Sequence, residues 1–159
     1  MPTFSERNAM IEKIERLPDL LEQAVKGLNE AQLDTRYRDG GWTVRQVVHH
    51  LADSHMNAFV RMKLLMTEET PTIKPYDQEH WAELPDTKAF PVQSSISIIR
   101  GLHPRITHFL KTLPDSAWQR KGVHPESGTI TLDSLLVTYS KHGENHVGQI
   151  TGLRARKGW

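Results

Sequence analysis

A chain of 159 residues with 37% apolar and 25% charged side chains is long enough for one core and too polar to be a membrane protein. Its net charge of +1 comes from interspersed acidic and basic residues, which excludes the one-sided basic stripe of a nucleic-acid binder. The absence of cysteine excludes disulfides, thiolate metal sites and a cysteine nucleophile, whereas nine histidines are many for this length.

The opening, MPTFSERNAMIEKIERLP, has no signal-peptide hydrophobic region, and no apolar run approaches the roughly 20 residues of a membrane span. A cytoplasmic protein is expected, with neither membrane nor nucleic acid as a partner. No internal repeat is present, so residues 1–159 are read as a single domain.

The first helix is expected from about Ser5 to Leu28, where Ile11, Ile14, Leu17, Leu21, Val25 and Leu28 recur every three or four residues. Pro18 lies inside it and should kink or split it. After the joint DTRYRDGG, Thr43 and Gln46 have the spacing of a capping box. Val47, Val48, Leu51, Ala58, Phe59, Met62 and Leu65 then give a second helix its apolar face, as far as about Met66. The next joint, TEETPTIKPYDQEHWAELPDTKAFP, has four prolines and exceeds ordinary loop length, so short turns and functional residues are expected there. Tyr76 and Trp81 are its candidates for pocket walls.

The third helix is expected from about Val92 to Leu113 on the stripe Ile96, Ile99, Leu102, Ile106, Phe109, Leu110 and Leu113, with a bend at Pro104. PDSAWQRKGVHPESGTI leads to the fourth, Leu132 to about Arg156, which Thr131 can cap; GTIT can make a brief extended segment. Four amphipathic helices with little strand signal predict an all-α four-helix bundle, of up-down type with a long connection between helices two and three.

In TYSKHGENHVGQITGL, His142 and His146 differ by about 40° around a helix axis and about 6 Å along it, so they point the same way. Both fall on the apolar stripe of Leu135, Tyr139 and Ile150. Imidazoles on an inner face need polar partners, and a divalent metal satisfies a pair spaced i,i+4. A catalytic site of this kind usually adds a third protein ligand and an open position. His49, His50 and His55 on the second helix compete for that role; their relative rotations of about 100° and 140° mean that they cannot all point inward. His50, on the flank of the apolar stripe, is the choice. The zincin motif is excluded, because Gly143 stands where its glutamate belongs and Glu144 should face away. Asp53, Tyr139 and Gln149 are candidates for support around the ligands. His80, His103, His108 and His124 have no partner at ligand spacing and are read as surface residues.

GGWTVRQVVHHLADSHMN followed by KHGENHVGQI resembles the DinB-like superfamily, most closely its YfiT branch of metal-dependent hydrolases. The shared pattern is a Gly-Gly-Trp-Thr opening, a following His-Leu, and His-x-x-x-His ahead of Gly-Gln-Ile; the likeness runs from about residue 33 to the end. The resemblance implies a dimeric four-helix bundle with one nickel or zinc ion per chain, held by three histidines and completed by water. Its first ligand, eight residues after the tryptophan and directly before leucine, falls on His50, and its pair on His142 and His146. It implies a small-molecule substrate. Some relatives are thiol S-transferases that join a low-molecular-weight thiol such as bacillithiol to electrophiles.

A divalent ion on three neutral imidazoles keeps its full charge. It can lower the pKa of bound water from roughly 15.7 to about 7, or deprotonate a thiol. The expected function is therefore a metal-dependent hydrolase. The alternatives are a metal-dependent thiol S-transferase and a non-catalytic bundle that an ion stabilises.

Overall fold

A computed structural model describes all 159 residues. In chain order it contains α1 (Phe4–Val25), α2 (Glu30–Leu33), α3 (Val44–Thr67), α4 (Gln78–Ala82), α5 (Pro85–Ala89), α6 (Val92–Lys111) and α7 (Leu132–Lys157). A 3-10 turn at Asp115–Gln119 and an antiparallel hairpin, β1 (Lys121–His124) and β2 (Gly128–Thr131), lie between α6 and α7. No helix is long and apolar enough to cross a membrane.

Local chemistry sets the helix starts. Thr3, Thr43 and Thr131 each accept from the amide three residues on, and the residue there returns a bond to the cap backbone. α1 ends at Val25, short of Leu28, because Gly27 turns the chain at a φ of 78°. GTIT is the strand β2. Neither proline splits its helix. Pro18 has no N–H to return to the Ile14 carbonyl, and His103 Nδ1 supplies the missing donor at 2.6 Å. That bond corrects the surface reading of His103, which is 0% exposed.

The four long helices, α1, α3, α6 and α7, make the expected bundle, and their contacts give its sense of travel. Arg7 pairs with Asp133 at one end and Arg154 donates to the Ala24 carbonyl at the other, so α1 and α7 run parallel. The same holds for α3 and α6, through His49 with Ser95 and Phe59 with Phe109. α1 opposes α6 through Lys111 with Glu15 and Arg100 with Asp19. α3 opposes α7 through His50 with His142 and Arg61 with Tyr139. The path is thus up, down, down, up, which corrects the alternating up-down course expected while keeping the long connection between the second and third long helices. Consecutive parallel helices force the chain back to its starting end, and the long connection from 68 to 91 does this with α4 and α5 packed along α3.

Two apolar clusters fill the bundle. One holds Ile14, Met62, Leu65, Ile106 and Leu136, and the other holds Leu17, Leu21, Val48, Leu51, Ile99 and Ile150. His55, His103 and His142 occupy the level between them in the order of each helix. Gly143 sits at that level, facing Leu17 of α1. A Cβ there would lie 2.8 Å from Leu17 Cδ1 and nearer still to Cδ2, and Leu17 is only 2% exposed. Gly143→Ala is therefore expected to lose on the order of 1 kcal/mol of stability, overpacking outweighing the helix-propensity gain. Chemical denaturation would test this; a midpoint at or above wild type would contradict it.

Candidate metal centre

α3 and α7 run antiparallel at the level of the histidines, so one turn of each faces the other. His50 Nε2 lies 3.1 Å from His142 Nε2. Ligand-capable atoms of His50, His142 and His146 all lie within 4.8 Å of one another. Metal–nitrogen distances of roughly 2.0–2.1 Å put tetrahedral ligand atoms about 3.3 Å apart, so this cluster needs little adjustment to close on an ion.

Protonation fits the same use. His146 Nδ1 faces Gln149 Oε1 at 2.8 Å, an acceptor, which places the ring hydrogen on Nδ1 and leaves Nε2 bare. His142 Nδ1 lies 3.4 Å from His55 Nε2, a long contact that suits an Nδ1–H donor. Burial pushes His50 down to about 3, and the neighbouring His146 and His142 push the same way. His142 falls to about 3 by burial and then by His146. Burial also lowers His146, against the hydrogen bond that it donates to Gln149. At neutral pH the cluster therefore holds three neutral imidazoles. The 3.1 Å contact between His50 Nε2 and His142 Nε2 is closed either by a proton on one of them or by a cation between them, and imidazole suits zinc, nickel and copper. The donor set fits a divalent transition metal.

His49 and His55 correct the expectation that the three α3 histidines cannot all turn inward. All three are buried. His49 Nδ1 meets Ser95 Oγ at 2.7 Å and its Nε2 donates to the Phe90 carbonyl at 2.9 Å, on the side facing α6. The His55 ring stacks on His103 at 4.8 Å and meets Tyr139 edge-on at 5.5 Å. The physical reason is that α6, α7 and the α4–α5 segment together cover most of α3. Only His50 joins both α7 histidines in one cluster, whereas His55 meets the other ring nitrogen of His142. The His50 ring also packs against Trp42, with centroids 4.6 Å apart.

The three supporting candidates separate. Gln149 binds His146 directly. Tyr139 presents its ring edge to His142 at 6.0 Å, but its hydroxyl accepts from Arg61 at 3.1 Å. Asp53 makes no hydrogen bond to the cluster. It lines a separate cavity with His49, Asp86 and Phe90, where burial and then the charge of Asp86 raise its carboxyl to about 6. Glu144 faces outward, paired with Lys13 at 2.8 Å. His80 and His108 are exposed. Tyr76 lines a cleft of about 670 Å³ that reaches His142, and Trp81 packs on Tyr76 at 4.6 Å.

Sequence reasoning passed over His55 as a neighbour of the ligands and missed His103 and Arg61. Pro18 was a signal for His103, because a proline inside a helix frees a carbonyl that something must satisfy. Arg61 stands eleven residues after His50, about 20° away around the axis and so on the same face.

Residues 13–150 match the sequence profile of the DinB superfamily. The chain is 51% identical over 152 residues to a protein of Oceanobacillus iheyensis named as a candidate metal-dependent hydrolase, covering 96% of this chain and 88% of that one. It is 48% identical over 155 residues to YfiT of Bacillus subtilis, named in the same way, covering 97% and 87%. The solved structure of YfiT, described as having an unusual four-helix bundle topology, superposes with a TM-score of 0.97 at 46% identity, over 100% of this chain and 91% of that one. The four-helix bundle protein TT2238, at 17% identity, TM-score 0.60 and coverage of 92% and 98%, shares the fold alone.

Proposed function

The chain belongs to the DinB superfamily, and on that premise we propose that it is a metal-dependent hydrolase holding one divalent ion, nickel or zinc, on His50, His142 and His146. The observation that carries this reading is the convergence of three neutral imidazoles from α3 and α7, two of them 3.1 Å apart at Nε2. When bound, such an ion supplies Lewis-acid activation of water, lowering its pKa to about 7.

The chain's own residues prepare that chemistry. Gln149 fixes the tautomer and ring plane of His146. His55 does the same for His142 from inside the core, where burial keeps it neutral and able to accept. Trp42 covers one face of His50, and the cleft beside His142 admits a small-molecule substrate.

The test is turnover of ester, amide and phosphate panels by the metal-loaded protein, with and without a low-molecular-weight thiol. Thiol-independent hydrolysis of at least one class is expected, lost in a folded His142→Ala variant. Turnover only when a thiol is consumed together with an electrophile would replace the hydrolase reading with thiol transfer.

A further inference from the structure

The cleft that reaches His142 contains a cation, Arg61, that stands over the Tyr76 ring but has no carboxylate partner. Other partly buried arginines have evident roles. Arg7 pairs with Asp133, and Arg45 with Asp34 and Glu30. Arg120 and Arg154 donate to carbonyls at the C-terminal ends of α3 and α1, where positive charge suits the helix dipole. Arg61 is in the body of α3 and has no carboxylate. Its Nη1 donates to Tyr139 Oη at 3.1 Å, its Nη2 reaches the Lys74 carbonyl only at 3.5 Å, and its Nε–H is buried without an acceptor. Tyr139 Oη spends a lone pair on Arg61, which leaves its own hydrogen free to donate. Arg61 and Tyr139 line the same cleft as His142.

We propose that this cleft is a subsite for an anionic group of the substrate, a carboxylate or a phosphate, bound by Arg61 with Tyr139 donating beside it. A guanidinium presents donors in the planar fork that such oxyanions match. The acids at the cleft do not fill the role. The Asp77 carboxylate caps α4 and binds His80 Nδ1 at 2.6 Å, and Glu126 is exposed on the turn between β1 and β2. Because Arg61 shares the His50 face of α3 and Tyr139 stands one turn before His142 on α7, the anion would lie in line with the metal centre. The subsite takes its meaning from the hydrolase reading, but it can be tested apart from it.

The test is calorimetric titration of the metal-loaded protein with inorganic phosphate, with succinate and with neutral succinamide, at fixed low salt. Wild type is compared with Arg61→Gln, Arg61→Lys and Tyr139→Phe, and metal content is measured in each. Wild type is expected to bind phosphate or succinate saturably and succinamide not at all. Arg61→Gln should weaken the anion at least ten-fold, and Arg61→Lys and Tyr139→Phe less. The anion that binds more tightly identifies the group that the substrate carries. Anion binding to the ion itself is common to all four proteins, so the difference between them reads Arg61. Should Arg61→Gln not fold, the other two variants decide. Equal affinity in wild type and the variants, or no anion binding in wild type, would overturn the subsite. Arg61-dependent anion binding in protein that retains no metal after loading would keep the subsite and sink the metal reading.

Discussion

His142→Ala is expected to lose divalent-metal affinity by well over 100-fold while the bundle stays folded. His142 is the middle of the cluster: its Nε2 faces His50, and its ring meets His146 with centroids 4.5 Å apart. Without it, His50 and His146 offer two ligands on different helices and no chelate turn. Removing the outer partner of a ligating histidine typically costs about 10–100-fold in metal affinity, and removing the ligand itself costs more. His55→Phe should fall within that outer-partner range. It keeps an aromatic ring of similar size against His103 and Tyr139 but deletes the acceptor for His142 Nδ1. Competition against a chromophoric chelator measures both. Unchanged affinity in His142→Ala would remove His142 from the site, and unchanged affinity in His55→Phe would leave His55 as core packing.

Acid is expected to unfold the metal-free protein at a pH where most proteins of this size are stable. His50 and His142 sit at about 3 when folded, against an ordinary value of 6.5. A base with a depressed folded value binds fewer protons in the native state than in the unfolded one. Stability is therefore flat above pH 6.5 and falls as pH drops from 6.5 towards 3. Each such group contributes a slope of about 1.4 kcal/mol per pH unit, so the two together approach about 3 kcal/mol per unit inside the window. His49, His55 and His103, also lowered mainly by burial, act in the same direction. Asp53 acts in the opposite direction. Its carboxyl is raised to about 6 from 3.8, so its protonation between those values favours the folded state and offsets roughly one histidine. The net sign remains destabilising, and a total stability of about 5–15 kcal/mol is exhausted within a few pH units. Denaturant midpoints at pH 8, 7, 6 and 5 check this. Equal midpoints from pH 7.5 to pH 5 would contradict it.

What was legible in the sequence was whatever depends on short range. The four helices followed from periodicity, and the starts of α3 and α7 followed from Thr43 and Thr131, whose hydroxyls bond amides three residues away. The aim of His142 and His146 needed only the pitch of one helix, and the exclusion of Glu144 followed from the same pitch. The cluster with His50 was legible because α3 carries its own apolar stripe. What was hidden depends on contacts far apart in the chain. His103 reads as a surface residue until Ile14, 89 residues earlier, offers the carbonyl that Pro18 frees. His49 reads as outward until Phe90 and Ser95 cover it, and His55 until His103 and Tyr139 pack against it. Arg45, which no sequence pattern singles out, is 2% exposed and held by Glu30, Asp34 and the Phe90 carbonyl. The up, down, down, up path is not written in any single helix. Its one trace is the length of the second connection, which two parallel neighbours require.

The most direct measurement is metal stoichiometry. The protein, purified without a histidine tag, is stripped, titrated with nickel or zinc, desalted and analysed for the element. One ion per chain is predicted, with none retained when His50, His142 and His146 are replaced together by alanine and the bundle remains folded. No retained metal in wild type, or the same stoichiometry in the triple variant, would contradict a centre built on these three histidines.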